Sequence, residues 1–240
     1  MRLITLIYGV VSYLLFFAVF LYLIAFVGDL FVPKTLSSET SRDMPSALLI
    51  NLALILLWGV QHTIMARDWF KAAIAPVIPH HIERSTYVLA STGVLALLMY
   101  AWQPIDGIIW QVDQTLGIQV LWILFGLGWA LVLLSTFLTD HFDLFGLRQT
   151  WLRFTKKHYT SVGFTERWFY RWIRHPMMLG LLMAFWAIPV MTMGHLVFSI
   201  GMTVYVLLGI FFEERGLATS IGADYVDYQK RTARIIPKIY

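Results

Sequence analysis

Arg174-His175-Pro176-Met177-Met178-Leu179-Gly180 places a guanidinium, an imidazole and a helix-starting proline side by side, ahead of a long apolar run that ends at Glu213-Glu214. Proline has no N–H to lose and suits the first helical position. A helix beginning at Pro176 leaves free N–H groups and a positive dipole end beside Arg174 and His175, a place that receives a carboxylate well. Gly180, one turn on from Pro176, lets a ligand or a second helix come close. Taken alone it reads as a packing glycine. As a set, Arg174, His175, Pro176, Met178, Leu179 and Gly180 read as the mouth of a binding site. Glu213 and Glu214 form its far edge. Two acids at a helix C-terminus oppose the dipole, so they need a partner. A ribose hydroxyl, a sulfonium cation or Arg174 would serve. Adjacent helical residues point about 100° apart, so one acid can face the site while the other pairs with Arg215 or a tail arginine.

The elements that must position these groups are membrane helices. Hydrophobic residues make up 59% of the 240-residue chain and charged residues 13%, which excludes an ordinary soluble domain. Apolar runs occupy 3–26, 47–65, 87–102, 118–138 and 177–212. A spanning helix needs about 20 apolar residues. The last run is long enough for a hairpin broken at Met193-Gly194-His195, its arms near the short limit. The expected fold is an all-α integral membrane protein of five or six transmembrane helices, a single domain over 1–240 with its cofactor-binding part at about 140–240. The first run is too long for a signal peptide and no small-residue cleavage site follows, so it reads as a retained helix.

Charge orients these helices. With the N-terminus inside, all of the 18 Lys and Arg residues except Lys34 and Arg42 fall on the cytoplasmic side, a strong positive-inside signal. Both termini and the 140–175 stretch are then cytoplasmic. The basic balance is explained by the lipid bilayer, and no nucleic-acid partner is needed.

The 140–175 stretch is rich in aromatics. Thr165 is placed to cap a short helix running through Arg174. On it Trp168, Phe169, Trp172 and Ile173 share one face and Arg167, Arg171 and Arg174 another, the pattern of an interfacial anchor. Other polar residues near helix ends are His62 beside Gln61, and Asp140-His141; His62, Asp140 and His141 are candidate bases. His195 reads as an exposed turn residue and His80-His81 as part of a cytoplasmic loop. No cysteine is present, and no histidine pair has metal-ligand helical spacing, so no metal site is expected.

Arg174-His175-Pro176, the hairpin, Glu213-Glu214, and the tail with Ile221-Gly222, Tyr225, Tyr228 and Pro237 resemble the isoprenylcysteine carboxyl methyltransferase superfamily of membrane enzymes. Members usually carry tyrosine where this chain has Met178. Gln61-His62-Thr63-Ile64-Met65-Ala66-Arg67, Glu83-Arg84-Ser85-Thr86-Tyr87-Val88-Leu89 and His141-Phe142-Asp143-Leu144-Phe145-Gly146-Leu147-Arg148-Gln149 are similar to a narrower branch, the bacterial methanethiol S-methyltransferases. The resemblance covers nearly the whole chain, and its earlier motifs are partly shared with the NnrU-type membrane family.

The resemblance implies methyl transfer from S-adenosylmethionine to methanethiol in a bacterial inner membrane, giving dimethyl sulfide and S-adenosylhomocysteine. The polar donor enters from the cytoplasmic face and the small thiol through lipid. Arg174 and His175 would hold the donor carboxylate or order the mouth, Glu213 or Glu214 would take the ribose or sulfonium, and Met178 and Leu179 would line the cleft. His141, Asp140 or His62 would help form the thiolate, the better nucleophile. Met178, Phe185 and Trp186 suggest a small apolar acceptor pocket. The alternatives are a methyltransferase for another small thiol or lipid-like acceptor, and a non-catalytic NnrU-like accessory protein. A transporter is disfavoured, because the chain shows no inverted repeat.

Overall fold

The computed structural model describes residues 1–39, 42–160, 166 and 168–237. In chain order the elements are α1 (Arg2–Gly28), α2 (Met44–Met65), α3 (Asp68–Ile74), α4 (His80–Ala101), β1 (Ile108–Gln111), α5 (Thr115–Leu138), α6 (His141–Leu144), α7 (Leu147–Phe154), a 3-10 turn at Trp168–Arg171, α8 (Pro176–Trp186), β2 (Val190–Thr192), α9 (Met193–Ile221) and α10 (Ala223–Arg231).

Four of these helices, α1, α2, α5 and α9, are long and apolar enough to cross a membrane. Their exposed side is leucine-rich, with Leu14, Leu56, Leu134 and Leu208 each at least half exposed. Such a surface is unfavourable in water and neutral in lipid, where the helix satisfies its own backbone. The protein is therefore a multi-pass membrane protein. The fold is mostly helical as expected. It also holds a two-stranded antiparallel sheet, β1 with β2, bulged between Ile108 and Trp110. Its residues follow a tight Gly107 turn and a Pro189 break, where helical bonding cannot continue.

The chain forms two compact units. The first comprises residues 1–106 and 139–163. In it α1 packs on α4 and α7, and α2 on α4. Asp43 caps α2 by accepting from the Ser46 N–H at 3.1 Å. Asn51, fully buried in α2, exchanges two hydrogen bonds with the Gln103 backbone (2.6 and 2.8 Å) and so pins the end of α4. A polar side chain inside an apolar helix has to be satisfied in this way.

The second unit comprises residues 107–138 and 164–240. Its tightest contact is α5 against α8, where Gly128 and Gly180 meet. A Cβ on Gly180 would sit 2.6 Å from the Gly128 carbonyl oxygen, so only glycine permits this approach. The C-terminal hairpin is uneven. α8 has 11 residues, about 16 Å of rise, roughly half of a hydrocarbon core. α9 has 29, about 43 Å, enough to cross and project beyond. His195 is no turn residue: it lies inside α9, 1% exposed, its Nε2 2.9 Å from the Phe185 carbonyl. Thr192 caps that helix by accepting from the His195 N–H, which moves the start of α9 ahead of the apparent Met-Gly-His break. His80 and His81 likewise belong to a helix, as the first residues of α4 after Pro79.

Candidate functional site

The second unit builds its polar centre from three segments. Pro176 starts α8, and the residue before a proline avoids the helical region. His175 accordingly has φ −125° and ψ 63°. The backbone here is extended: the Arg174 N–H donates to the Ala233 carbonyl (2.8 Å) and the His175 N–H to the Arg234 carbonyl (3.1 Å). The expected short helix through Arg174 therefore does not form. Among the described residues of this stretch only the turn Trp168–Arg171 is helical, with Trp168 and Trp172 largely exposed and Ile173 buried. Thr165 and Arg167 lie outside the described residues.

This extended strap turns Arg174 and His175 inward onto α9. Arg174 Nε donates to Glu214 Oε1 at 2.6 Å, and both side chains are 6% exposed. Its Nη1 also donates to the carbonyls of Gln229 and Thr232. His175 Nε2 lies 3.1 Å from the same Glu214 oxygen, and Arg234 Nε lies 3.2 Å from Oε2. Both oxygens of Glu214 are thus engaged. The partner these acids require is Arg174, with Arg234 as the tail arginine. The two glutamates do not end their helix, however. α9 continues to Ile221, so the dipole penalty inferred for them does not arise. The apolar stretch 193–212 rises about 30 Å, one bilayer core, which puts Glu213 and Glu214 at its edge.

Glu213 differs from its neighbour. It is about half exposed, and His175 Nδ1 lies 3.7 Å from its Oε2. It is the acid in this cluster with room for a ligand. Around the cluster, Tyr225 and Tyr228 are buried on α10. Burial, with Glu214 and Glu213 nearby, pushes the Tyr225 phenol up to about 12; burial raises Tyr228 as well. Both stay neutral donors. Tyr228 donates to the Tyr170 carbonyl at 2.5 Å.

Met178 and Leu179 are partly exposed on the first turn of α8, while Gly180 faces α5. Phe185 and Trp186, expected to shape an acceptor pocket, are packing residues. Phe185 is 1% exposed, with edge contacts to Trp129 and Phe198. The Trp186 indole donates to Thr203 Oγ1 and stacks on Trp110.

The three candidate bases lie in the first unit. His141 is 4% exposed, its Nε2 2.8 Å from the Tyr13 hydroxyl, in a ring of Phe16, Phe142 and Phe145. Burial lowers its pKa, with Asp140 partly opposing, so the imidazole is held neutral. Asp140 has φ 72° and caps α6, its Oδ1 accepting from the Asp143 N–H at 3.1 Å, while Oδ2 is 3.8 Å from Arg148. His62 stacks on Trp58 and is bonded to the Tyr87 hydroxyl (2.9 Å) and Ser91 (3.2 Å). Different partners hold the two histidines. Sequence reasoning missed Tyr13, one of three tyrosines in the apolar helix α1, with no local signal to single it out.

Among the described residues, no group of three or more His, Asp or Glu side chains is arranged to hold a metal ion.

Charged groups at the mouth of a half-length helix, within a multi-pass α-helical protein, define a membrane-embedded protein with a boundary-facing polar centre. Comparison with known proteins makes this specific. A methanethiol S-methyltransferase of Mycobacterium tuberculosis is 47% identical over 236 residues, covering 98% of this chain and 97% of that protein. One from Crocosphaera subtropica is 42% identical, covering 99% and 93%. One from Pseudomonas deceptionensis is 46% identical, covering 89% and 81%. The chain belongs to the methanethiol S-methyltransferase family. No family model and no solved structure matches it.

Proposed function

We propose that this protein methylates methanethiol to dimethyl sulfide, with S-adenosylmethionine as donor and S-adenosylhomocysteine as the second product. The near full-length identity to proteins of that activity carries the reading. The protein sits in the cytoplasmic membrane of a bacterium with both termini and the 140–175 segment inside, as the positive-inside distribution favours. The cofactor-binding part is then the segment from about 140 to 240 within one functional whole, and its polar centre faces the cytoplasm.

The donor fits the α8–α10 cluster on one observation: Glu213 keeps a half-exposed carboxylate beside a fully engaged Glu214. In this reading Arg174, His175 and Glu214 are the frame, locked by their mutual bonds. Glu213 takes ribose hydroxyls or faces the sulfonium charge. Met178 and Leu179, with the backbone at Pro176, line the cleft, and Gly180 sets the depth of α8 against α5. The donor supplies an electrophilic methyl group on a sulfonium.

The chain's own chemistry is deprotonation and exclusion of water. The thiol loses its proton to a base, the new S–C bond forms on the acceptor sulfur, and the old S–C bond gives its electron pair to the leaving sulfur. A neutral imidazole accepts a proton, which favours His141 as the base; its ring of phenylalanines suits a small apolar thiol. Asp140 shapes α6 by capping it, and His62 acts as a second, hydrogen-bonded candidate. Holding sulfur, methyl and leaving group in line supplies the rest.

Purified protein given labelled donor and methanethiol should release labelled dimethyl sulfide into the headspace. Failure to bind donor or release product would instead favour the accessory-protein reading.

A further inference from the structure

The motifs at 83–89 and 141–149 are used only in part by the reaction above, yet the fold joins them tightly. Arg84 Nε donates to the Leu144 carbonyl at 2.7 Å, and Ser85 Oγ to the Gly146 carbonyl at 3.2 Å. Gly146 has φ 85°, and a Cβ there would lie 2.6 Å from the Ser85 backbone nitrogen. The start of α4 is thus clamped onto the α6–α7 turn, all within the first unit.

Beside this clamp lies a polar cavity of about 260 Å³, lined among others by Lys71, Glu83, Arg84, Asp143, Gln149 and Tyr159. Some of its charge is already spent. Asp143 accepts from Arg148 (2.9 Å), Tyr159 (3.2 Å) and Gln149 (3.3 Å). Arg148 is held further by Thr160.

The remaining groups are not spent. Among the described residues, the Glu83 carboxylate makes no hydrogen bond or ion pair, and Arg84, whose guanidinium lies over the Tyr87 ring at 5.1 Å from its centroid, uses only Nε as a side-chain donor, leaving both Nη groups. Lys71 has just a long 3.4 Å contact with the exposed Asp68. Gln149 is 8% exposed, and its buried Oε1 accepts no hydrogen bond. A buried orphan acceptor costs free energy that a ligand donor would recover.

We propose that this cavity binds a compact α-amino-acid zwitterion. The guanidinium edge of Arg84, assisted by Lys71, takes the carboxylate in a two-pronged pair. Glu83 and Gln149 Oε1 take the ammonium. Leu144 and Tyr159 supply apolar wall for a side chain of moderate length. The volume falls just below the roughly 300–1,000 Å³ of sites that enclose drug-sized ligands. It suits an amino acid or the amino-acid end of a larger molecule. The site stands on this cavity alone and not on the proposed reaction.

Calorimetric titration of the full-length protein in detergent tests it, with L-methionine as the probe. Single-site binding is expected. N-acetyl-L-methionine, which has no ammonium, and L-methioninamide, which has no carboxylate, should each bind at least about tenfold more weakly, the loss of one charge-assisted contact. Glu83→Gln should weaken L-methionine by a similar factor with an unchanged thermal unfolding curve, since Glu83 supports no other described group. Arg84→Gln should do the same but also loosens the Leu144 contact, so Glu83→Gln is the decisive variant. S-adenosylhomocysteine separates the sources. If Glu83→Gln weakens its binding, the zwitterion recognised is the amino-acid end of the donor; if not, it is a free amino acid. No L-methionine binding, equal binding of the N-acetyl compound, or indifference to Glu83→Gln would overturn the proposal.

Discussion

Glu214→Leu is the most informative single perturbation. Three cationic or potentially cationic groups converge on its two oxygens at 2.6, 3.1 and 3.2 Å. Removing the carboxylate leaves Arg174, 6% exposed, with only the Gln229 and Thr232 carbonyls. Breaking a buried pair from one side costs about 3–5 kcal/mol, because the surviving charge is uncompensated. Arg174→Met is milder. Glu214 then keeps His175 and Arg234, so the loss is about 1.5–3 kcal/mol, one hydrogen bond to a charged group. Arg234 is half exposed, so Arg234→Met should cost at most about 1 kcal/mol. The double variant Arg174→Met/Glu214→Leu removes both charges and should recover roughly 1–3 kcal/mol relative to the sum of the singles. Reversible unfolding by SDS titration in mixed micelles measures all four. A Glu214→Leu cost below about 1 kcal/mol, or strict additivity in the double, would show that Glu214 is not the keystone of this cluster and refute the frame assigned to it.

The other predictions concern packing, pH, topology and substrate. Gly180→Val should cost at least about 1–3 kcal/mol by overpacking α8 against the Gly128 backbone, whereas Gly209→Ala, with nothing within 4 Å of its added Cβ, should fold normally; thermal unfolding in detergent compares them. Burial depresses the His141 pKa below its unfolded value of about 6.5, so the unfolded chain binds the extra proton first. Stability from neutral His141 is full above that value and lost as pH falls below it, and His141→Gln should flatten the stability profile there. Thr160→Cys in this cysteine-free chain should label only from the cytoplasmic side; labelling from outside would invert the proposed topology. Methanethiol should be turned over faster than ethanethiol or a long-chain thiol, each ill-fitting methylene costing about 1–3 kcal/mol by headspace chromatography; a better long-chain substrate would remove the small-acceptor reading.

How much was legible in the residues depended on whether the signal was local. Apolar length located α1, α2, α5 and α9, because a bilayer makes length and hydropathy nearly sufficient. The Arg174–Glu214 meeting was legible as one of three partners the acids could take, since two acids at the end of an apolar run must find one. The limits of α8 and α9 were not. Hydropathy is blind to a cap, and Thr192 rather than glycine starts α9, which carries His195 into the core. Aromatics in sequence near Met178 looked like pocket walls, but Phe185 turned out to face Trp129 and Phe198, a choice made by packing partners remote in sequence. The polar cavity was hardest to foresee. Its charges come from α3, α4 and α6, and what distinguishes them is not residue type but which remain unspent. Asp143 and Glu83 are both carboxylates in branch-specific motifs. Only the fold shows that Asp143 is consumed by Arg148 and Tyr159 while Glu83 has no partner among the described residues. A sequence motif therefore names the atoms available for recognition, and the accounting of hydrogen bonds decides which of them a ligand can use.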